Sequence, residues 1–462
     1  MRQFDVVVLG GGSSGEWFSG NLPGLKVAIV EMDRVGGSCP FVSCIPSKAL
    51  LRSVNIRHSV ESAYRLGATS SQLDLGNNRS AYRNATARKD RIVSYRNDSK
   101  HAESMRDGGA TLFRGRGEIL GPNRVLVTYP NGSSEEIGYR DLIVSTGSSP
   151  TRPLIAGLET VPTWSSEEAL SSEELPKSLI ILGGGAVGCE LSQVYANFGV
   201  AVSVVESASR LLPNEEPFIG TVMAEILKGD GVDVRVGVAA LNAEPIDQGL
   251  TLTLSDGTAI SGERLLVATG RQPNVFGIGL ESLGLVANQN GIPVDANCRV
   301  LGTDHLWAAG DVTGIFPFTH TANYQARIVI SNLRGQEMVA DYSAIPRAVY
   351  TDPPVASVGH SSKTAESSGL VTKTATMSFY DTARAHSEES KIGELFLLAD
   401  ATERVLIGAS AIGPSADEII GEATLAIRAR VPLSVLADVV HAFPTYGEVY
   451  EPPLRELAEL LV

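Results

Sequence analysis

Near the N-terminus, apolar positions form short runs that end in a glycine-rich turn. Residues 4–9 are such a run, and they lead into Gly10, Gly12 and Gly15. A second run, residues 26–30, ends at Glu31. A short apolar run bounded by glycines predicts a buried strand, and a glycine-rich turn after it predicts the start of a helix. This order of strand, turn, helix and strand predicts a dinucleotide-binding unit.

The same pattern occurs again later in the chain. Residues 178–182 lead into a second turn that contains Gly183, Gly185 and Gly188. A helix is predicted through Phe198, and the next apolar run, residues 201–205, ends at Glu206. Two copies of one unit predict two bound dinucleotides.

The remaining segments fit around these two units. Residues 50–110 are polar and rich in Arg, Ser and Ala, which predicts a pair of surface helices before strands that run to residue 144. The helix after the first turn contains Gly20 and Pro23, so we expect residues 16–24 to be irregular. From about Asp341, short strands alternate with helices and no nucleotide pattern occurs, which predicts a separate α+β domain.

Each residue type in the repeated unit has a physical role. The first glycine permits the turn, the second lets the backbone approach a pyrophosphate, and the third allows close helix packing. The pyrophosphate is expected at the helix N-terminus. Glu31 and Glu206 are placed to accept hydrogen bonds from ribose hydroxyls, and a carboxylate at Glu206 favours NADH because it repels the 2′-phosphate of NADPH. Arg210 is close in the sequence and weakens this preference.

Composition and charge narrow the class of protein. The 462 residues are 43% apolar and 19% charged, which predicts a globular protein of several domains. The net charge of −14 disfavours binding to nucleic acid or to an anionic membrane, because both need basic clusters. The sequence has neither the pattern of a leader peptide nor an apolar stretch that spans a membrane, so we expect a cytoplasmic protein with small-molecule partners.

Two of the four cysteines lie close together. Cys39 and Cys44 are separated by four residues, and Pro46 marks a predicted helix start. A helix N-terminus stabilises a thiolate, so Cys44 has the placement expected of a sulfur that faces a flavin. A metal half-site and two packed thiols are the alternatives, but zinc needs further Cys or His at matching spacing. Cys189 and Cys298 are expected to be core residues.

Together these motifs resemble one family over essentially the whole chain, the flavoprotein pyridine nucleotide-disulfide oxidoreductases. That family includes dihydrolipoamide dehydrogenase, glutathione and mycothione reductases and mercuric reductase. The segment around the cysteine pair, residues 36–48, is the specific feature. Other flavoproteins share the remaining motifs, which are the N-terminal glycine turn and residues 183–190, 268–274 and 309–311.

The resemblance implies an α/β fold with two Rossmann-like dinucleotide-binding domains and a C-terminal α+β dimerisation domain. The expected FAD-binding domain is formed by residues 1–147 and 270–338, and the NAD(P)-binding domain by residues 148–269. Residues 339–462 would form the dimerisation domain. The implied cofactors are FAD and NAD(H) or NADP(H), and the implied assembly is a homodimer.

The resemblance also implies roles for individual residues. Hydride would pass from NAD(P)H to FAD, and the electrons would then reduce a Cys39–Cys44 disulfide. Cys44 would form the charge-transfer thiolate with the flavin, Cys39 would attack the substrate, and Lys48 would pair with Glu190 beside the flavin. Asp311 would contact the ribitol chain. The residues expected to bind the cofactors are Gly10, Gly12, Gly15, Glu31, Gly37, Ser38, Thr146, Gly147, Gly183, Gly185, Gly188, Glu206, Gly270, Gly310 and Asp311.

One position departs from the family pattern. Family reductases have a histidine immediately before a Pro-Thr pair, oriented by a glutamate, and this histidine moves protons to and from the attacking thiol of the partner subunit. Here that residue is Phe443, while Glu448 is retained. In the implied dimer, Phe443 and Glu448 would face the partner subunit's Cys39. A phenyl ring transfers no proton, so efficient turnover of glutathione disulfide or lipoamide is not expected.

Two other residues are candidates for the missing base. If residues 441–443 are extended, the side chains of His441 and Phe443 point the same way, which makes His441 a displaced base. We favour an ordinary surface or interface role for His441, and Tyr446 is the weaker candidate. A related enzyme, 2-ketopropyl-coenzyme M carboxylase, also has Phe at this place, but it has replaced the glutamate as well.

The leading hypothesis is a flavoprotein oxidoreductase of the disulfide reductase type. It would pass electrons from NAD(P)H through FAD and the Cys39–Cys44 disulfide to a small disulfide, thiol or thioether-type substrate. One alternative is an NAD(P)H-dependent reductase of a quinone or another electron acceptor. A second alternative is a redox sensor whose catalysis has lapsed, although such a protein has no physical reason to keep a thiolate at the flavin.

Overall fold

The computed structural model describes residues 1–460, which form two compact units of discontinuous sequence. Unit 1 consists of Met1–Pro46, Arg88–Thr151 and Gly270–Asp341. Unit 2 consists of Ser47–Ala87, Arg152–Thr269 and the chain from Tyr342 onwards. None of the helices described within residues 1–460 is both long and apolar enough to cross a membrane.

The helices are numbered in chain order. The α-helices are α1 Ser13–Glu16, α2 Ser38–Val42, α3 Cys44–Ser62, α4 Asn78–Ile92, α5 Ser99–Asp107, α6 Ser166–Ser171, α7 Ala186–Asn197, α8 Pro217–Gly229, α9 Thr319–Leu333, α10 Ser362–Ser367, α11 Ala383–Glu388, α12 Ala416–Arg428, α13 Leu433–Leu436 and α14 Glu451–Leu460. Short 3₁₀ turns occupy Ser94–Arg96, Leu158–Thr160, Leu280–Leu283, Asp311–Thr313, Phe379–Asp381 and Tyr446–Tyr450.

The strands are numbered in the same way. They are β1 Arg2–Leu9, β2 Val27–Glu31, β3 Thr111–Arg114, β4 Arg116–Gly121, β5 Arg124–Thr128, β6 Ser134–Val144, β7 Ser148–Pro150, β8 Thr163–Trp164, β9 Ser178–Leu182, β10 Ala201–Glu206, β11 Asp233–Val236, β12 Ala240–Ile246, β13 Gly249–Leu254, β14 Ala259–Gly262, β15 Arg264–Val267, β16 Arg271–Pro273, β17 Leu306–Ala308, β18 Arg347–Val349, β19 Val355–Gly359, β20 Thr372–Ser378, β21 Glu394–Asp400 and β22 Val405–Ile412.

Unit 1 is built on a sheet in the order β3-β2-β1-β6-β5-β4, with β17 beside β6. The strands β3, β2, β1, β6 and β17 are parallel, whereas β5 pairs antiparallel with both β4 and β6. Three successive residues of β1, Val6, Val7 and Val8, are all fully buried. Burial on both faces explains the continuous apolar run, because parallel sheets are covered on both sides.

Unit 2 contains a parallel sheet and two antiparallel sheets. The parallel sheet has the order β11-β10-β9-β15-β8, and the smaller antiparallel sheet has the order β12-β13-β14. The C-terminal region forms an antiparallel sheet in the order β18-β19-β22-β21-β20, which packs against α12 and α14. The predicted strand at residues 178–182 has the bounds of β9. The predicted α/β class, with two nucleotide-type units and a C-terminal α+β region, is confirmed.

Two local expectations have different outcomes. The irregular segment after the first turn is confirmed, because α1 ends at Glu16 and both Gly20 and Gly24 have positive φ. The pair of surface helices over residues 50–110 is wrong, since α3, α4 and α5 all enter this region. The Tyr82 ring on α4 is also buried, 5.3 Å from the ring of Phe198. The polar composition hid this apolar contact.

Candidate active site

The first glycine turn follows β1 at the carboxyl end of the unit 1 sheet. An ideal Cβ on Gly10 would lie 2.2 Å from the carbonyl oxygen of Ser145, the residue after β6. A Cβ on Gly15 would lie 2.1 Å from the carbonyl oxygen of Gly10. Glycine is therefore required at both positions. Because β1 lies between β2 and β6, the turn occupies the point where strand order reverses, and open α/β sheets bind dinucleotides there.

Glu31, at the end of β2, is tied to this turn by both carboxylate oxygens. Its Oε2 accepts a hydrogen bond from the Gly11 amide and its Oε1 accepts one from the Asp33 amide, both at 2.7 Å. Burial raises the pKa of Glu31 above its ordinary value, although these two amides counteract part of that effect. The carboxyl group is thus held at the edge of the turn.

The second unit repeats this arrangement bond for bond. Glu206 accepts hydrogen bonds from the amides of Gly184 and Ala208, both at 2.7 Å. An ideal Cβ on Gly183 would lie 2.4 Å from the carbonyl oxygen of Ala268, and one on Gly188 would lie 1.9 Å from that of Gly183. The repeat seen in the sequence therefore extends to backbone geometry and to the acidic side chain.

The surroundings of the second turn bear on the choice of nicotinamide. Helix α7 begins directly after Gly185, and an ideal Cβ on Gly185 would meet no atom within 4 Å. The Arg210 guanidinium donates from Nη2 to the carbonyl oxygens of Pro213 and Glu215, at 3.0 and 3.4 Å. Arg210 is thus held by its own loop, while Glu206 stays at the turn.

Two helix N-termini meet at Cys44. Helix α2 carries Cys39 and ends at Val42, and Cys44 is the first residue of the 19-residue helix α3. The Sγ of Cys44 also lies 3.8 Å from the Oγ1 of Thr319, the first residue of the 15-residue helix α9. The N-terminus of a helix carries partial positive charge and favours a thiolate. Both cysteines are partly exposed.

Two predicted cofactor residues of unit 1, Asp311 and Gly310, are held by hydrogen bonds to residues that were not predicted. The Ser148 hydroxyl donates to Asp311 Oδ2 at 2.6 Å, and Arg271 Nε donates to that hydroxyl at 2.7 Å. The Gly310 amide donates to Gln325 Oε1 at 2.7 Å. These bonds fix the Asp311 carboxylate and the loop that carries it.

The other predicted cofactor residues of unit 1 lie in the turns of the same unit. Gly37 precedes α2, and its ideal Cβ would lie 3.0 Å from Gly12 Cα, so these two turns approach closely. Ser38 is the first residue of α2. Thr146 donates its hydroxyl to the Asn274 carbonyl oxygen at 2.7 Å. The Asn274 amide donates to the Gly147 carbonyl oxygen, and the Thr151 amide donates to the Gly270 carbonyl oxygen, each at 2.9 Å.

Lys48 and Glu190 form a close ion pair in unit 2. The Lys48 Nζ donates to both carboxylate oxygens of Glu190 at 2.9 Å, and Glu190 is 5% exposed. The Tyr350 amide also donates to Glu190, at 3.0 Å, and the Tyr350 ring centroid lies 4.6 Å from Lys48 Nζ. The pair therefore has a third member that the sequence did not reveal.

Phe443 and His441 point in different directions. The Phe443 residue is 79% exposed, whereas the His441 side chain is only 8% exposed. The His441 imidazole lies 3.0 Å from Glu422 through Nε2 and 3.4 Å from Glu451 through Nδ1. The orientation that an extended stretch would give the two side chains does not occur, and carboxylates on α12 and α14 enclose the His441 ring. An exposed surface role for His441 is therefore wrong, and an interface role stays a prediction.

Tyr446 and Glu448 complete this region. The Tyr446 hydroxyl donates to Glu388 Oε2 at 2.8 Å, and burial together with this bond raises the pKa of Tyr446 to about 12. Glu448 accepts from the Ala383 amide through Oε2 at 3.3 Å. Its other oxygen, Oε1, is buried and has no hydrogen-bond partner within residues 1–460. Glu448 thus has one acceptor oxygen that no donor of these residues reaches.

The remaining cysteines are core residues, as predicted. Cys189 and Cys298 are both fully buried. Burial raises the pKa of the Cys189 thiol well above its ordinary range, so this sulfur stays protonated. Sequence reasoning missed Thr319 and Tyr350. Thr319 had one available signal, since a hydroxyl residue at the start of an apolar-periodic segment marks a helix N-terminus.

Comparison with protein families identifies this architecture. Residues 4–326 match the family described as pyridine nucleotide-disulphide oxidoreductase, and residues 345–453 match its dimerisation domain. The chain belongs to the pyridine nucleotide-disulphide oxidoreductase family. It is accordingly an FAD-dependent NAD(P)H oxidoreductase of the disulfide reductase type, and the dimerisation domain indicates a homodimer. The family resemblance drawn from the sequence is confirmed.

Curated relatives match along the whole chain. The dihydrolipoyl dehydrogenase of Mycobacterium bovis is 34% identical over 465 residues, which cover 98% of this chain and 97% of that protein. Dihydrolipoyl dehydrogenase 2 of Haloarcula marismortui is 32% identical over 455 residues, with coverage of 96% and 94%.

Solved structures match as completely. The Cu(II) complex of the HOCl-induced flavoprotein disulfide reductase RclA from Escherichia coli has a TM-score of 0.85 and 27% identity, with 100% of both chains covered. LpdA from Mycobacterium tuberculosis has a TM-score of 0.85 and 26% identity, with 99% of this chain and 100% of that chain covered.

The residues of the two turns fit the cofactors that this family uses. At the first turn, an ideal Cβ on Gly12 would lie 3.7 Å from the Gly37 Cα and, apart from its chain neighbours, within 4 Å of no other atom of residues 1–460, so the two turns have room for a pyrophosphate. The carboxylates of Glu31 and Asp311 are held by hydrogen bonds, and a carboxylate suits the hydroxyls of FAD. At the second turn, Gly185 has similar space and Glu206 is a similarly held carboxylate, which suits a nicotinamide dinucleotide.

Proposed function

We propose that this oxidoreductase acts on a small disulfide, thiol or thioether-type substrate through Cys39 and Cys44, and that it does so without an imidazole at residue 443. NADH is the proposed electron donor. The placement of Cys44 at two helix N-termini supports the first part. The orientation of Glu206 at its turn, with Arg210 held elsewhere, supports NADH.

The chemistry that FAD supplies when bound is transfer of an electron pair from a nicotinamide to a disulfide. In the reduced pair, the Cys39 thiolate attacks one sulfur of a substrate disulfide, forms a mixed disulfide and expels one substrate thiolate. Cys44 then attacks the Cys39 sulfur, re-forms the protein disulfide and expels the second thiolate. Two electrons leave the protein, and each substrate thiolate needs one proton.

The proposed roles of other residues follow the family pattern. Lys48 and Glu190 form the charged wall beside the flavin, and Asp311 contacts its ribitol chain. Phe443 and Glu448 face the partner subunit's Cys39. The proposed domains are FAD-binding for residues 1–147 and 270–338, NAD(P)-binding for 148–269 and dimerisation for 339–462, of which residues 461 and 462 lie outside the described part. A cytoplasmic location stays a prediction.

The proposal that proton transfer at this site is unusual rests on the Oε1 oxygen of Glu448. In the family pattern an imidazole at residue 443 would bond to this glutamate, whereas a phenyl ring offers no donor, and Oε1 has no partner among residues 1–460. Neither His441 nor Tyr446 takes its place, since carboxylates other than Glu448 hold both. Loss of a general base typically costs about 10²–10⁴-fold.

The lack of an imidazole at residue 443 also favours one second candidate, a reductase of quinones or other electron acceptors. Such an acceptor takes electrons without thiol exchange at Cys39, so it does not need the missing imidazole. A lapsed redox sensor is disfavoured, because the cysteine segment and the Lys48–Glu190 ion pair are both intact.

Anaerobic titration of the purified holoenzyme with NADH, followed by a panel of disulfides, quinones and ketone thioethers, tests the proposal. We expect two-electron reduction of the cysteine pair and reoxidation by at least one disulfide or thioether, which Cys39→Ser abolishes. If Cys39→Ser leaves turnover with the best acceptor unchanged and that acceptor is a quinone, the second candidate is correct. If no acceptor reoxidises the reduced protein, both candidates fail.

A further inference from the structure

The segment Tyr350–Asp352, which follows β18, is bonded to one face of helix α7. Its first residue donates a backbone amide to Glu190 at 3.0 Å. Its last residue exchanges two bonds with Gln193, from the Asp352 amide to Oε1 at 2.7 Å and from Nε2 to the Asp352 carbonyl oxygen at 2.9 Å. Gln193 is fully buried. The position of this segment therefore determines one of the hydrogen bonds that orient the Glu190 carboxylate.

The same segment borders Lys48. The Tyr350 ring lies 4.6 Å from Lys48 Nζ, which donates to both oxygens of Glu190. A displacement of Tyr350–Asp352 would remove one hydrogen bond from Glu190 and one cation–π contact from Lys48. The geometry of the ion pair thus depends on what holds the far end of the segment.

His58 holds that far end. It lies on α3, ten residues after Lys48 and about 15 Å further along the helix. Its Nδ1 lies 2.7 Å from Asp352 Oδ2, and its Nε2 lies 3.6 Å from Asp230 Oδ1. Gln193 also donates to Asp230, at 2.9 Å. The imidazole is therefore flanked by two carboxylates, of which one belongs to the segment itself.

We propose that protonated His58 is a positioning residue for the Lys48–Glu190 ion pair, and that it acts by fixing the segment Tyr350–Asp352. As an imidazolium, His58 donates to Asp352 and offsets the charge of Asp230. After loss of its proton, one ring nitrogen becomes an acceptor, and the two carboxylates repel each other without a cation between them. The segment then keeps its bonds to α7 and at most a neutral hydrogen bond from Nδ1 to Asp352, without the positive charge that offset the two carboxylates.

The charges around His58 determine the pH at which this change occurs. Burial opposes protonation of His58, but the hydrogen bond and charge of Asp352, with the charges of Asp230 and Glu61, outweigh burial and raise the pKa of His58. Burial also raises the pKa of Asp230. Arg57, His58, Glu61 and Asp230 line one polar cavity, through which solvent protons reach His58. Because the pKa of His58 is raised in the folded protein, the stabilisation is complete below its ordinary pKa and is lost as pH rises through the raised value.

This inference rests on the proposed role of Lys48 and Glu190 beside the flavin, and its test separates the two. The rate of flavin reduction by NADH is measured across pH by rapid mixing of the holoenzyme. We expect the wild-type rate to fall about two- to tenfold as pH rises through the His58 titration. His58→Asn should give the slow rate at every pH, and Asp352→Asn should move the step to lower pH.

A second measurement follows His58 itself. With ¹³C-labelled histidine, the chain shows seven imidazole signals, and the one that disappears in His58→Asn is assigned to His58. Its titration midpoint should coincide with the wild-type kinetic step. His305→Asn is the matched control, because His305 also pairs with an aspartate, Asp141 at 3.1 Å, but in unit 1. It should keep the wild-type profile.

Each other outcome is decisive. A kinetic step that persists in His58→Asn, or one that departs from the His58 midpoint, overturns the inference. If His58→Asn yields no holoenzyme, an unshifted step in Asp352→Asn overturns it instead. Lys48→Met tests the proposed function separately from this inference. An unchanged rate of flavin reduction in that variant contradicts the proposed role of the ion pair, whatever the His58 variants show.

Discussion

The Sγ of Cys44 lies 3.8 Å from the Oγ1 of Thr319, and each of these residues is the first of a long helix. Two positive helix ends therefore act on one sulfur, each worth about 0.3–1 kcal/mol at an exposed site and up to about 2 kcal/mol when partly buried. Cys39 is the second residue of α2, which has only five residues and therefore few aligned peptide dipoles. The two cysteines differ electrostatically, although their exposure is similar.

This asymmetry predicts which cysteine forms the charge-transfer thiolate. Two-electron reduction of the holoenzyme should produce long-wavelength absorbance that Cys44→Ser abolishes and Cys39→Ser preserves. Thr319→Val, which keeps the shape and removes the hydroxyl, should move the appearance of the band to higher pH, because a donor near the thiolate is lost. Absorption spectra of the anaerobically reduced variants measure both effects. Equal spectra for the two cysteine variants would contradict the assignment.

The two glycine turns can be tested against each other. Gly15→Ala and Gly188→Ala each place a Cβ about 2 Å from a backbone carbonyl oxygen, which forces the following helix to shift at a cost of about 1–3 kcal/mol. We expect Gly15→Ala to weaken FAD retention roughly ten- to hundredfold and to spare the NADH site. Gly188→Ala should raise the KM for NADH by a similar factor and keep the flavin.

Flavin content after gel filtration and steady-state kinetics with NADH measure these effects. Gly421→Ala is the control, since an ideal Cβ on Gly421, within α12, meets no atom within 4 Å. It should change neither quantity. If both test variants lose flavin equally, the turns do not bind separate dinucleotides.

The hydrogen bonds of Glu206 predict a preference for NADH. Glu206→Gln keeps the shape of the side chain and removes the charge that repels a 2′-phosphate, so the NADH:NADPH ratio of kcat/KM should fall about tenfold. Arg210→Ala should leave the ratio unchanged, because the guanidinium bonds to its own loop. Faster flavin reduction by NADPH than by NADH in the wild-type protein would show that another cation dominates the site.

Local patterns predicted the two turns well, and long-range packing explains what they missed. Each strand, turn and acid of the dinucleotide units lies within about thirty consecutive residues, and the steric need for glycine is visible in the sequence. Glu190 was matched to Lys48 only through the family resemblance, because the two are 142 residues apart. Tyr350 belongs to neither motif, so no spacing pointed to it.

The position of His441 has a similar origin. A shared orientation with Phe443 was expected only if residues 441–443 are extended, since alternate side chains of an extended strand share a face. Instead, Glu422 on α12 and Glu451 on α14 attract the imidazole, and its ring stacks on Tyr450 with centroids 6.3 Å apart. Contacts from two other helices decided this orientation, and no pattern near residue 441 encodes them.

Phe443→His should restore ordinary disulfide reduction. Glu448 Oε1 is buried without a hydrogen-bond partner in the described part of the chain, so we expect it to accept a bond from an imidazole at residue 443. Turnover with a generic disulfide should rise about 10²–10⁴-fold, the usual contribution of a general acid–base residue. Steady-state kcat with lipoamide and with glutathione disulfide measures the gain. If the native reaction needs a pocket without an exchangeable proton, the same variant should lose native activity.

Two further variants separate proton transfer from a change of shape. Phe443→Leu removes the ring without adding a base, so it should give no gain in turnover. Phe443→His combined with Glu448→Gln should lose most of the gain, because the new imidazole would no longer bond to a carboxylate that stabilises its protonated form.

Turnover of the wild-type protein could contradict this prediction. If it already reduces glutathione disulfide or lipoamide as fast as ordinary family members, and His441→Ala removes that activity, then His441 is the proton carrier. In that case the imidazole must leave Glu422 and Glu451 during turnover, and Phe443 marks no departure from the family's chemistry.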